Sequence, residues 1–292
     1  MNVASGRRFT LGFSPCPNDT FIFDSMVNGK MDTGGLQFDP VLEDVETLNR
    51  MAAEEVLDIT KLSYHAYLHL ADKYILLDSG SALGRGVGPL LLGKQAQNLD
   101  QASLEAYLQT ARIAIPGKNT TANLLFTLAF PGATNKTEVV FSEIEEQVLN
   151  GTFDCGLVIH ESRFTYAAKG LHQWMDMGAW WEQTTGAAIP LGGICIRRNI
   201  PAEIALRVQN LIRTSLELSW KSYPELSGFV TDNAQEMEPA VMRQHIQLYV
   251  NQYTLSLGAE GRHTVQQLFG YAGRHGIIGS VPEPLIMPAD AG

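Results

Sequence analysis

The stretch Asp154-Cys155-Gly156-Leu157-Val158-Ile159-His160-Glu161-Ser162-Arg163 passes from a short apolar, partly β-branched run straight into a cluster of reactive side chains. Such a run reads as a strand covered on both faces, as the strands of parallel sheets are. In open sheets of that kind ligands gather at the carboxyl ends of the strands, so His160, emerging there, is placed to meet a substrate. Imidazole also changes charge near neutral pH, which suits it to proton transfer.

Upstream of this stretch, strand and helix patterns alternate. Residues 9–13 read as a strand, and Ser14-Pro15-Cys16-Pro17-Asn18-Asp19-Thr20 as a turn opening a helix at about Thr20. Asn18 or Asp19 is expected to cap it, with Phe21, Phe23 and Met26 facing inward. Residues 36–42 form a second expected strand, and Glu43-Asp44 leads into a helix carrying Val45, Leu48, Met51 and Ala52. Residues 57–60 form a third, closed by Thr60-Lys61-Leu62-Ser63, with Ser63 as candidate cap of a helix bearing Tyr64, Tyr67, Leu68 and Ala71. This rhythm predicts a parallel sheet with right-handed crossovers.

Two motifs here resemble sites without completing one. His65 and His69 lie four apart, a spacing metal pairs use, but no third ligand accompanies them and no metal is expected. Gly84-Arg85-Gly86-Val87-Gly88 is followed by the apolar run Pro89-Leu90-Leu91-Leu92, a strand, whereas a phosphate-binding glycine run opens a helix. Arg85 stays a candidate anion contact.

A second α/β unit begins with a strand at 112–115 and the turn Pro116-Gly117-Lys118-Asn119, after which Thr120-Thr121 opens a helix. Backbone N–H groups at that helix start, its dipole and Lys118 can hold an anion, although Thr120 serves equally as a plain cap. A strand at 139–141 and a helix at 142–149 follow, the helix capped by Ser142 with Glu145 as its capping-box partner. Trp180 and Trp181 precede a Thr-Thr-Gly turn. Residues 190–197 are a strand returning to the first domain, and 201 onward reads as helical, with a proline-rich end after Gly276 wrapping the surface.

The fold class expected is therefore α/β: a two-lobed, periplasmic-binding-protein type fold with the ligand between lobes. Its domains are residues 1–95 with 196–292, and residues 96–195. Thirty-one acidic against twenty-one basic residues give a net charge of -10, which argues against nucleic acid or an anionic membrane as partner. The chain has no run long enough to span a bilayer and no secretory pattern after Met1, so a cytoplasmic protein is expected. Three scattered cysteines, Cys16, Cys155 and Cys195, indicate neither disulfides nor a zinc site. Cys16 and Cys155 read as small buried residues rather than nucleophiles.

The segments Ser14-Pro15-Cys16-Pro17-Asn18-Asp19-Thr20-Phe21, Lys61-Leu62-Ser63-Tyr64, Gly84-Arg85-Gly86-Val87-Gly88-Pro89, His160-Glu161-Ser162-Arg163-Phe164-Thr165-Tyr166 and Gly178-Ala179-Trp180-Trp181-Glu182 occur in this order. Together they resemble the 1,4-dihydroxy-6-naphthoate synthase family. The resemblance implies a lyase of the futalosine route to menaquinone, cleaving cyclic dehypoxanthine futalosine without metal or organic cofactor. It implies that His160 is the proton acceptor and that Lys61, Leu62 and Ser63, with Thr120, Thr121 and Ala122, are substrate-binding. Asn18 or Asp19 would assist from the first lobe. The partner is then a small anionic substrate, with a homodimer left open. A chorismate dehydratase of the same pathway, or a small-anion binding protein without chemistry, are the alternatives. No GxSxG elbow occurs, which argues against a serine hydrolase.

Overall fold

The computed structural model describes residues 6–97, 100–235 and 238–289. Residues 1–5, residues 98–99 between the expected Pro89-Leu90-Leu91-Leu92 strand and the second α/β unit, residues 236–237 of the expected helical region, and the last three residues of the tail lie outside them. In chain order the elements are β1 (Arg8–Phe13), α1 (Pro17–Val27), β2 (Gln37–Leu42), α2 (Val45–Ala53), β3 (Ile59–Ser63), α3 (Tyr64–Leu70), β4 (Tyr74–Leu76) and β5 (Ala82–Gly84). Then come β6 (Leu90–Gly93), α4 (Gln101–Leu108), β7 (Ile113–Ile115), α5 (Thr121–Ala129), β8 (Lys136–Glu138), a 3-10 turn (Phe141–Glu143), α6 (Ile144–Leu149) and β9 (Cys155–Val158). The remainder is α7 (Ser162–Thr165), β10 (His172–Asp176), α8 (Met177–Thr185), β11 (Ile189–Arg197), α9 (Ala202–Ser222), α10 (Gly228–Asn233), α11 (Pro239–Tyr249), α12 (Gln252–Leu255) and α13 (Gly258–Arg274).

These divide into two compact units, Met1–Gly84 with Pro190–Gly292, and Arg85–Ile189. The boundaries differ from 95 and 196 because hydrogen bonding commits the flanking strands. β6 pairs with β9 and β10, and so belongs to the second unit from its first residue. β11 pairs with β3 and β4 of the first unit along most of its length.

In the first unit β2, β1 and β3 run parallel, as the alternation predicted. The sheet is mixed beyond β3, since β11 enters antiparallel between β3 and β4. Leu11, Phe13, Ile59, Ile194 and Ile196 form its apolar centre, with Phe21, Phe23 and Met26 of α1 packed on it. α9 lies along α1, where Ser215 Oγ and Ser219 Oγ donate to the carbonyls of Ile22 (2.6 Å) and Phe21 (2.7 Å). The proline-rich end does more than wrap the surface. Leu285, Ile286 and Met287 are buried, and the Leu285 carbonyl and Met287 N–H bond the backbone of Leu76, the last residue of β4. The second unit has sheet order β10-β6-β9-β7-β8, with β7 parallel to β8 and β9, and β6 antiparallel to β9. Leu90, Leu92, Ala114, Ile144, Val148 and Val158 fill its core.

Several local expectations are corrected. Helix α1 starts at Pro17, not Thr20, with Cys16 at the cap position, because proline fits a first helical position whose N–H has no acceptor in any case. Asn18 and Asp19 therefore lie inside the first turn and cap nothing. Lys61 to Ser63 belong to strand β3 itself, and Ser63 makes no capping hydrogen bond. The strand expected at 139–141 lies at Lys136–Glu138, where register with Ile113 to Ile115 places it, and Phe141 begins the 3-10 turn instead. Ser142 falls inside that turn, so α6 starts at Ile144 without a side-chain cap. Trp180 and Trp181 do precede the Thr-Thr-Gly turn, and they lie in helix α8, capped by Asp176, whose Oδ1 accepts from Gly178 N and Ala179 N.

Candidate active site

In the first unit, the parallel register Leu11↔Ile59 and Gly12↔Thr60 brings the segments after β1 and at the end of β3 to one sheet edge. Asp19 is the hub there. Its Oδ1 accepts from Lys61 Nζ (2.8 Å) and Asn18 Nδ2 (2.9 Å), and its Oδ2 from Ser14 N (3.2 Å) and Ser14 Oγ (2.8 Å). Lys61 and Asp19 side chains are 7% and 2% exposed, so this ion pair is screened little by solvent. Beside it, Asn49 of α2 holds β3 twice, donating to Ser63 Oγ (3.1 Å) and accepting from Ser63 N (3.1 Å). Leu62 is fully buried, and its side chain is core. Glycine is required opposite: a Cβ on Gly192 would lie 2.8 Å from the Leu62 carbonyl oxygen and 3.2 Å from Lys61 Cε.

In the second unit β7 and β9 end on one edge, and the antiparallel β6 begins there. Thr120 and Thr121 follow β7, and His160 follows β9. The Thr120 hydroxyl donates to the Gly117 carbonyl (2.8 Å) and accepts from Asn123 N (3.2 Å), so it caps α5 as one reading expected. Thr121 and Ala122 are buried in the first turn of that helix. Lys118 turns away to Glu138, through its backbone N–H (2.8 Å) and a 3.7 Å ion pair.

His160 has φ 58°, in the left-handed region, and its ring meets that of Phe141 edge-on at 5.1 Å. A non-glycine residue there costs roughly 1–3 kcal/mol and persists only where the surroundings enforce it. They do so twice. Glu145, 4% exposed and expected to complete a capping box, instead accepts from Ser162 Oγ (3.0 Å) and Lys169 Nζ (2.6 Å). Arg163 donates to the Gly88 carbonyl (2.5 Å) and to Asp176 Oδ2 (2.7 Å). Gly88 in turn permits backbone contact with α8, since a Cβ on it would lie 2.3 Å from Gly178 N. This gives the last glycine of Gly84-Arg85-Gly86-Val87-Gly88 a packing purpose. Arg85 itself is exposed, donating to the Gly186 carbonyl (2.9 Å) and 3.7 Å from Glu182.

The cysteines and Tyr64 lie in the core. Burial pushes the Cys155 and Cys195 thiols well up, and Cys16 is buried too. Burial likewise raises the Tyr64 phenol, which bonds Ser81 Oγ at 2.9 Å. The His65 and His69 rings lie 5.4 Å apart, and no group of three or more ligating side chains gathers around an ion position among the described residues.

Sequence reading missed Ser14, Asn49, Glu145, Asp176 and His245 as members of these networks. For Asp176 a signal existed, since an aspartate directly before Met177-Gly178-Ala179 is a helix start. His245 sits on α11, 227 residues from its partner Asn18, where no local pattern reaches.

Residues 9–274 match a family described as menaquinone biosynthesis. A Thermus thermophilus protein named 1,4-dihydroxy-6-naphthoate synthase is 43% identical over 277 residues, covering 95% of this chain and 98% of that one. A Streptomyces coelicolor protein of the same name is 40% identical over 290 residues, covering 97% and 100%. The crystal structure of an Archaeoglobus fulgidus protein superposes with a TM-score of 0.84 at 32% identity, covering 93% of this chain and 98% of that one. The alkanesulfonate-binding protein SsuA of Xanthomonas axonopodis gives 0.73 at 11% identity, over 98% and 100% of the two chains, and so shares the expected periplasmic-binding-protein fold. With two near-full-length relatives of one name and a family match over most of its length, the chain belongs to the menaquinone-biosynthesis family of 1,4-dihydroxy-6-naphthoate synthases.

Proposed function

We propose that this chain is a carbon–carbon lyase that converts cyclic dehypoxanthine futalosine to 1,4-dihydroxy-6-naphthoate, with His160 as general base. The observation that carries the activity is the near-full-length identity to two proteins named for that product. The choice of His160 is supported by its position after β9, its left-handed backbone and the two clamps on the residues that follow it. A neutral imidazole takes a proton from the substrate and starts the bond cleavage. Thr121 and the N-terminal turn of α5 suit an anionic or hydroxyl group of the substrate, through backbone N–H groups and the helix dipole. In the first unit Lys61 and Ser63 are the binding groups, with Asn18 and Asp19 fixing Lys61. Leu62 and Ala122 contribute through backbone and shape, and Arg85 is the candidate anion contact, its guanidinium resting on the Gly186 carbonyl beside Glu182.

Purified protein is incubated with cyclic dehypoxanthine futalosine, and product is followed by liquid chromatography and mass spectrometry beside His160→Ala. The wild type is expected to form 1,4-dihydroxy-6-naphthoate, and the variant to lose about two to four powers of ten in kcat while still binding product. A variant as active as wild type would remove His160 from the chemistry. A wild type that binds but does not turn over would leave the binding-protein alternative, with chorismate the next substrate to try.

A further inference from the structure

Helix α11 lies in the carboxyl-terminal helical region, to which neither sequence pattern nor the proposed chemistry gives a part. One of its residues nevertheless reaches the Lys61 network. His245 is 1% exposed, and its Nε2 lies 2.9 Å from Asn18 Oδ1. The direction of this bond follows from the neighbours. Asn18 Nδ2 donates to the Asp19 carboxylate, so the amide oxygen faces the histidine and accepts, which puts the proton on His245 Nε2. Asp19 then receives four donors, from Ser14 twice, Asn18 and Lys61, which fills its acceptor sites. It is left as a holder of Lys61.

We infer that His245 is a positioning residue for substrate binding, acting through Asn18 and Asp19 on the ammonium group of Lys61. The inference rests on the reading of Lys61 as a substrate-binding residue. Without the imidazole N–H, the Asn18 amide loses the partner that sets its orientation. Rotated, it would turn its oxygen toward the Asp19 carboxylate, and the carboxylate would shift with the lysine it holds. His245 touches no substrate in this scheme, so its loss is felt in binding more than in the chemical step.

The test is a double-mutant cycle in the full-length enzyme, with KM, kcat and the thermal midpoint measured for each protein. His245→Leu is expected to raise KM roughly tenfold, the scale of one lost buried hydrogen bond, with kcat changed less than about threefold. His245→Gln, which keeps an N–H donor, is expected to recover most of that loss. Lys61→Met is expected to raise KM further, and the Lys61→Met/His245→Leu double variant to be no worse than Lys61→Met alone, because the two act in one chain. A KM unchanged in His245→Leu, or a double variant whose loss is the product of the two single losses, would overturn the inference and leave His245 a packing residue. Should His245→Leu not fold, Asn18→Ser interrupts the same chain and is read by the same cycle. A KM unchanged in Lys61→Met would instead sink the substrate-binding reading, so the two failures are distinguishable.

Discussion

At the scale of single residues, the conformation of His160 asks most of its surroundings. Its φ of 58° is disfavoured for any side chain bearing a Cβ, and the two residues that follow Glu161 are tied to different elements, Ser162 to α6 and Arg163 to β10. If His160 is the base proposed above, a side chain held this way keeps its orientation before substrate arrives, which is how positioning becomes rate. Glu145→Ala removes the acceptor of both Ser162 and Lys169 and frees one clamp. Steady-state kinetics should then show kcat down by about tenfold or more with KM within a few fold, since misplacement of a catalytic group by about 1 Å can cost a hundredfold. An unchanged kcat would mean that Arg163 alone holds the loop. The sequence marked His160 by its place after an apolar run, but not Glu145. A glutamate three residues after a serine fits a capping box equally well, and only the fold shows that its carboxylate is turned toward Ser162.

At the scale of elements, β1, β2, β3, β6, β7, β9 and β11 and the longer helices were legible because their patterns are local: an apolar run for β9, and helical spacing along α1, α2 and α5. The three-residue strands β4 and β5, and the polar β10, carry no such pattern and were not read. What was not legible depends on pairing between distant elements. Residues 190–197 read as a strand from hydrophobicity, yet nothing in that run tells that Gly192 faces Ser63 in antiparallel register and leaves room for Lys61. The same holds for the slip of β8 toward Lys136, which its partner β7 decides. Gly192→Ala tests the pairing. Its methyl would press on the Leu62 carbonyl and on Lys61 Cε, and strands joined by ladder bonds give way little. Stability is expected to fall by about 1–3 kcal/mol in urea unfolding, typical of overpacking, with KM raised more than kcat because Lys61 is displaced. Intact stability and KM would show that β3 and β11 part without consequence.

At the scale of the whole chain, the first unit is made from two segments separated by the entire second unit, so its integrity depends on contacts between its early strands and its late helices. Apolar burial supplies most of that, but Asp78, fully buried just after β4, supplies direction. Its carboxylate accepts from Arg262 of α13 (2.5 Å) and Ser256 Oγ (2.5 Å), and Arg213 of α9 lies 3.8 Å away. Its backbone N–H donates to Gln209 of α9 (2.8 Å), and Arg262 also donates to the Met287 carbonyl (2.7 Å), tying the tail to the same point. Asp78→Ala would leave the Arg262 and Arg213 guanidinium groups, each about a quarter exposed, facing a dry cavity. Breaking a buried pair from one side costs about 3–5 kcal/mol, and the partial exposure of the arginines puts the expected loss near the lower end. Because two units need not unfold together, a single midpoint is a poor measure of this loss. Hydrogen exchange followed by mass spectrometry resolves it: peptides from residues 6–84 and 190–289 should lose protection in Asp78→Ala, while those from 85–189 keep theirs. Equal loss of protection in both sets would mean that the units unfold as one cooperative body, and Asp78 would then be a determinant of the stability of the entire chain.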